Sequence, residues 1–239
     1  MLERIFDLDG HGTTPRREAA AGATTFLTMA YIVFVNPDIL GSAGMDRGAV
    51  ITATCLAAAF GTLLSGIWAN VPFAMAPGMG LNAFFAFSLV IGREVAWETA
   101  LGVVFVSGVL FLGLTLAGIR RHVVAAIPTG LRLAIAAGIG LFITLIGLRN
   151  MGLVTADPDT LVTLGEWGRR ALLGLAGLAA MVILQVRGVP GAILLGILAT
   201  TALGIVTGDV TWPGTPLAPP PGIGPVFLRM DLAAALQWG

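Results

Sequence analysis

The sequence predicts an all-α membrane protein of about seven transmembrane segments, and three observations carry that reading. Of the 239 residues, 56% are hydrophobic and 11% are charged, with a mean hydropathy of +0.93. Soluble domains carry about 25% charged residues, so this chain cannot hide its apolar surface in one water-soluble core and must use lipid as solvent. Uncharged runs occupy 19–37, 50–92, 99–119, 133–148, 171–186 and 188–208. The 50–92 run is too long for a single crossing of about 20 residues. It divides at Asn70-Val71-Pro72, because proline ends or kinks a helix at the residue before it.

The elements follow in order. Residues 1–18 are polar and mixed in charge. They lack the apolar stretch and small-residue cleavage site of a secretory signal, so they read as a cytoplasmic tail. A seven-segment repeat follows over 19–208, and its first crossing is expected to end at Asn36-Pro37-Asp38. In the second crossing, Ala57, Gly61 and Ser65 recur at helical spacing, which lets helices approach closely. Cys55 in the same run reads as a buried packing residue. Trp68, Trp97, Trp167 and Trp212 fall at segment ends, where amphipathic rings favour the headgroup layer. The two short late runs have flanking arginines that can snorkel to the interface. Residues 209–239 read as a proline-rich loop, through Trp212-Pro213, and then a short amphipathic interfacial helix within 226–238.

Orientation rests on arginine, the only basic residue type apart from His11 and His122. With the N-terminus inside, the inner side collects Arg4, Arg16, Arg17, Arg120, Arg121, Arg132 and Arg187, and the outer side the remaining six. The cluster Arg120-Arg121-His122 favours a cytoplasmic N-terminus under the positive-inside rule. The two histidines read as solvated residues of a tail and a loop.

The third crossing carries most of the information. Pro77, Gly78 and Gly80 fall within four residues of its middle. Proline removes a backbone donor and each interior glycine costs a helix about 1 kcal/mol, so an extended leg followed by a half-helix is expected. About five extended residues cover ~16 Å and a helix over 82–91 adds ~15 Å, which together span the ~30 Å hydrocarbon core. Irregular backbone at that depth must be buried in protein or line a watery cavity, and broken crossings are where secondary transporters bind substrate. Asn82 is suited to cap the half-helix, either as a cap alone or as a cap that also touches ligand. In the first crossing Thr24, Thr25 and Thr28 share a helical face. Their hydroxyls either bond back to the preceding turn or face a ligand.

Several classes of function are excluded or disfavoured. Zero net charge without a basic patch argues against nucleic acid as a partner. No paired carboxylates, nucleophile elbow, HExxH or phosphate loop occurs, so the chain does not read as an enzyme, and no metal site is expected. None of the uncharged crossings holds an acid that could carry a proton.

Three stretches resemble the AzgA-like guanine/hypoxanthine permeases of the nucleobase–ascorbate (xanthine/uracil permease) superfamily. They are Thr24-Thr-Phe-Leu-Thr-Met-Ala-Tyr-Ile-Val-Phe-Val-Asn-Pro37, Ala76-Pro-Gly-Met-Gly-Leu-Asn-Ala-Phe-Phe-Ala86 and Ile127-Pro-Thr-Gly-Leu-Arg-Leu-Ala-Ile-Ala-Ala-Gly-Ile-Gly-Leu-Phe142. Trp97-Glu-Thr-Ala-Leu-Gly102 is similar to that family's entry into its fourth helix. The resemblance implies one inverted repeat of a fourteen-segment transporter, here the N-terminal half, with a third segment part strand and part half-helix. It also implies proton-coupled uptake of purine nucleobases (guanine, hypoxanthine or adenine) across the cell inner membrane, with the proton as coupling ion and no other cofactor. Thr25, Thr28, Met79, Gly80, Asn82, Ala83 and Phe84 match the family's pocket and would form one wall of it. The acids that hold the base belong to the family's eighth and tenth helices, which lie beyond this sequence. The lipid bilayer is thus one partner, and a second polypeptide or a homo-oligomer would complete the site. The competing expectation is a truncated, non-transporting membrane fragment or subunit.

Overall fold

The computed structural model describes residues 6–8, 10, 12–211 and 219–238. The readings placed on Arg4, His11, Trp212 and Pro213 lie outside the described residues. Among those described, five helices are long and apolar enough to cross a membrane by length and composition. They are the stretch Pro15–Ser42, then α3 (Arg47–Ile67), α5 (Trp97–Leu116), α7 (Thr129–Met151) and α8 (Arg169–Val186). Two shorter apolar helices, α4 (Met79–Ile91) and α9 (Ala192–Val206), complete the apolar segments read from the sequence.

The first stretch holds two helices, α1 (Pro15–Met29) and α2 (Ile32–Ser42). Thr14 caps α1 by accepting from the Arg17 amide, and Pro15 occupies its first turn, where a missing donor costs nothing. The sequence placed the end of this crossing at Asn36-Pro37-Asp38; instead the helix breaks at Ala30-Tyr31, restarts, and runs through Pro37 to Ser42. Short-range bonds from Val33 to the Ala30 carbonyl (3.2 Å) and from Phe34 to that of Tyr31 (3.0 Å) rebuild the first turn. Pro37 therefore removes a single donor within a continuous helix, which crossing segments tolerate.

The chain divides into two compact units. The first comprises Met1–Val35, Ile51–Pro77 and Gly147–Pro221. Within it α3 is followed by an irregular stretch from Asn70 to Gly78. The Ala57–Gly61–Ser65 face, expected to admit another helix, admits this extended leg. A Cβ on Gly61 would sit 3.1 Å from Met75 Cβ, and Ser65 Oγ donates to the Val71 carbonyl (3.2 Å). The Met75 amide donates to Thr62 Oγ1 (2.9 Å). Cys55, expected to be buried, is exposed on α3; in a lipid-facing chain an apolar position need not point at protein.

Later in the same unit, α8 and α9 form a close helical hairpin. Gly177 lies against Thr200 and Gly196 against Met181, each with no room for a Cβ. Arg169 Nη2 donates to the Thr207 carbonyl (3.2 Å) and its Nε lies 3.9 Å from Asp209 Oδ2, which ties the start of α8 to the end of α9. The sequence reading missed the antiparallel hairpin of β1 (Val154–Asp157) and β2 (Leu161–Leu164). Asp157 Oδ1 accepts from the amides of Asp159 (2.9 Å) and Thr160 (2.8 Å) in its turn. These bonds to the ionised form hold the exposed Asp157 carboxyl below its ordinary pKa.

The second unit comprises Asn36–Val50, Gly78–Ile146 and Gly222–Gly239. His122, read as a loop residue, lies on a short exposed helix, α6 (Arg120–Ala126). The C-terminal segment contracts to α10 (Leu232–Gln237), capped by Asp231. It docks on the start of α5, a contact the sequence reading did not anticipate. The Asp231 amide donates to the Glu98 carbonyl (3.0 Å), and Ala235 is buried. Gly102 permits the approach, since a Cβ there would overlap the Asp231 carbonyl and lie 2.7 Å from Ala235 Cβ.

Both the docked helix and the hairpin turn can be tested. Gly102→Leu should displace α10 at a cost of about 1–3 kcal/mol. In a Cys55→Ala background, a cysteine at position 235 should then react with a thiol reagent several-fold faster; an unchanged rate would show that the helix is not held there. Because the folded pKa of Asp157 is depressed, its contribution to the hairpin is present above the unfolded value of about 3.9 and is lost as pH falls through the lower folded value. Hydrogen-exchange protection of the Thr160 amide, corrected for intrinsic rate, should fall over that acid window and be absent at neutral pH in Asp157→Ala.

Candidate functional site

The candidate site is built on α4. Its backbone enters from the extended leg at Gly78, which takes the N-cap position with φ −76 and ψ 108. The helix starts at Met79, four residues earlier than a cap at Asn82 would allow. Glycine is itself tolerated at N-caps, and Gly78 already has the extended conformation the position needs. The Asn82 amide closes the first helical bond onto the Gly78 carbonyl (3.1 Å). The N–H groups of the preceding turn thus stand at the start of the half-helix, where the helix dipole is positive.

After one α-helical turn, residues Phe84–Ile91 wind as a π-helix, a rare form that concentrates at functional sites. Nothing in Phe84-Phe-Ala-Phe-Ser-Leu-Val-Ile91 announces it. Ala83, Phe85 and Ala86 are buried, whereas Phe84 is exposed and Met79, Gly80 and Asn82 are half-buried. Gly80 is a point of close approach: a Cβ there would overlap Ile139 Cγ2 of α7.

Asn82 does not act as the cap. Its side-chain Nδ2 donates to Asn36 Oδ1 of α2, across 46 positions of sequence. Asn36 is 2% exposed, so an asparagine in an apolar segment is sealed into the protein interior. The sequence reading used Asn36 only as part of a helix stop. An amide within an uncharged crossing is itself a signal, since polar groups there are costly unless paired.

Met79, Gly80, Asn82, Ala83 and Phe84 are thus brought together on one half-helix of the second unit. Thr25 and Thr28 lie on α1 in the first unit. Both hydroxyls bond back within α1, Thr25 to the Ala21 carbonyl (3.0 Å) and Thr28 to that of Thr25 (2.7 Å), as Thr24 does to that of Ala20 (2.9 Å). A separate concavity of about 410 Å³ in the first unit is lined by Phe6, Leu8, Glu18, Asn70 and neighbours, and none of Thr25, Thr28, Met79, Gly80, Asn82, Ala83 and Phe84 borders it.

Apolar helices that cross repeatedly, one of them broken at a Pro-Gly-x-Gly joint and carrying a half-buried amide paired to a buried one, define a multi-pass membrane transporter. The sequence matches the Permease family over residues 16–227, and the chain belongs to that family, one of transporters and not of enzymes. It is 48% identical over 240 residues to the adenine permease AdeP of Escherichia coli (strain K12), covering 100% of this chain and 54% of that protein. It is 45% identical over 236 residues to the guanine/hypoxanthine permease PbuG of Bacillus subtilis (strain 168), covering 95% and 54% respectively. With the guanine/hypoxanthine permease GhxP of Escherichia coli O157:H7 it shares 42% over 208 residues, 86% of this chain and 46% of the relative. The chain spans about half the length of the curated relatives it matches.

The Gly80 contact yields a test of the site's architecture. Gly80→Val should lower thermal stability in detergent by about 1–3 kcal/mol through overpacking, and Ile139→Ala in the same chain should recover part of that loss. Additive destabilisation by the two substitutions would show that the backbone does not approach Ile139.

Proposed function

We propose that the chain forms one half of a proton-coupled purine nucleobase permease of the cell inner membrane, with its N-terminus in the cytoplasm. The observation that carries this reading is the half-helix entered at Gly78, which offers backbone N–H groups, a positive dipole end and the Asn82 amide within one apolar crossing. Purine bases suit such a site, since their edges present ring N–H groups and carbonyl or ring-nitrogen acceptors around a flat apolar face. The permeases named above transport adenine, or guanine and hypoxanthine, by their names. Met79, Gly80, Asn82, Ala83 and Phe84 of the second unit are this chain's candidates for the pocket, and Thr25 and Thr28 of the first unit are separate candidates, each able to exchange a back-bond for a ligand.

The complementary share comes from a second seven-segment half, on the same or another polypeptide. Two features support that need. Neither α1 nor α7 contains a buried residue. The chain also covers only about half of each relative. The same features favour a second reading, in which the chain by itself is a membrane fragment that inserts but does not transport.

Uptake of radiolabelled hypoxanthine, guanine and adenine separates the two, in cells without purine permeases of their own. Expression of this chain with the half that its relatives carry in addition should give saturable uptake, abolished by a protonophore. Expression alone should give none despite membrane insertion. Saturable uptake by the chain alone would mean that two copies complete each other. No uptake by the combination would overturn the permease reading.

A further inference from the structure

We propose that Asn36 is a positioning residue that fixes which end of the Asn82 amide faces the substrate. The inference rests on the permease reading above and adds a residue to its site. In a planar side-chain amide the N–H₂ and carbonyl groups lie on opposite branches of one carbon. Asn82 Nδ2 is committed to Asn36 Oδ1, so Asn82 Oδ1 is directed away from α2. Asn36 is sealed in protein at 2% exposure, whereas Asn82 is half-buried, so the pair has one closed end and one open end. A buried amide keeps its hydrogen bonds because leaving them unmade is costly. The orientation of Asn82 is therefore coupled to that of the sealed Asn36, and in the observed arrangement the open end presents a hydrogen-bond acceptor.

The rest of α2 supports this assignment. Asp38 pairs with Arg47 (3.2 Å) and Ser42 Oγ donates to the Asp38 carbonyl (3.0 Å), which secures the helix beyond Asn36. Ala83 and Ala86, fully buried, and Phe85 seat α4 on its protein side. Neither asparagine can turn its amide alone without breaking the bond between them, so the two orientations are coupled. A fixed acceptor selects a donor N–H on the base. An amide free to flip would offer a donor as readily as an acceptor, and would discriminate less between hypoxanthine, whose N1 carries a proton, and adenine, whose N1 does not.

The test uses the assembled transporter, with this chain and its complementary half, and compares Asn36→Leu, Asn82→Leu and the double variant at matched membrane levels. Asn36→Leu should raise the KM for hypoxanthine by about tenfold, the effect of one lost hydrogen bond, with maximal rate much less changed. It should also shift the ratio of hypoxanthine to adenine uptake, and the double variant should be no worse than Asn82→Leu alone. Should Asn36→Leu fail to accumulate, Asn36→Ser keeps a small polar side chain and is held to the same criteria. Unchanged KM and base ratio in the Asn36 variant, or losses that add to those of Asn82→Leu, would overturn the proposal while leaving Asn82 in the site. Wild-type kinetics in Asn82→Leu would instead remove the site reading itself, and the role of Asn36 with it.

Discussion

A peptide group at membrane depth must find a hydrogen-bond partner inside the protein, and the form of this chain around its third crossing follows from that constraint. Helices satisfy it internally, and 71–78 cannot, because Pro72 and Pro77 lack donors and fix the backbone. The partners come from α3, whose hydroxyls are spaced to meet the leg: Ser65 reaches the Val71 carbonyl and Thr62 receives the Met75 amide. Gly61 removes the side chain that would otherwise hold the leg away. Small and polar residues on one face of an apolar helix thus act together, the small one admitting the backbone and the polar ones satisfying it.

The same constraint applies where the helix resumes. A half-helix begins with unpaired amides, and a side chain that capped them would fill the position a ligand could take. Gly78 caps with backbone alone, so that end of α4 keeps its donors and Asn82 remains available for a partner elsewhere. The hydroxyls of Thr25 and Thr28 contrast with it. Each is spent on a carbonyl of its own helix, a bond that is local, cheap and exchangeable. The Asn36–Asn82 bond is long-range in sequence and partly sealed, so it constrains orientation where the threonine bonds only satisfy an atom.

How much was legible in the sequence follows from which forces are local. The apolar helices were legible as runs because charge cannot enter lipid and the arginines fall between the runs. The broken crossing was legible because Pro77, Gly78 and Gly80 act on their own backbone whatever surrounds them. What failed depended on neighbours distant in sequence. Asn82 ranks above glycine as a cap in isolation, yet Asn36 takes its amide. Pro37 reads as a stop, yet the helix absorbs it after breaking at Ala30-Tyr31. The segment before Trp238 has the composition of an interfacial helix, and that composition does not disclose the contact with α5 that the space left at Gly102 permits. Cys55 was assigned by a rule for water-soluble interiors, which lipid reverses.

That reversal also bears on the glycines. In water, an exposed apolar face is the liability; in lipid it costs nothing, and the liabilities are unsatisfied backbone and helix-weakening residues. An interior glycine weakens a helix by about 1 kcal/mol, and close packing offsets this because lipid supplies no hydrophobic drive between helices. Gly80, Gly102, Gly177 and Gly196 each meet a neighbour closely enough to leave no room for a Cβ. Gly138 and Gly140 on α7 meet no such neighbour from their own unit, and that helix contains no buried residue. Two glycines two residues apart in the middle of a crossing are costly without an approaching backbone. Close packing thus accounts for the glycines of α4, α5, α8 and α9, whereas no contact among the described residues offsets the cost of the pair on α7.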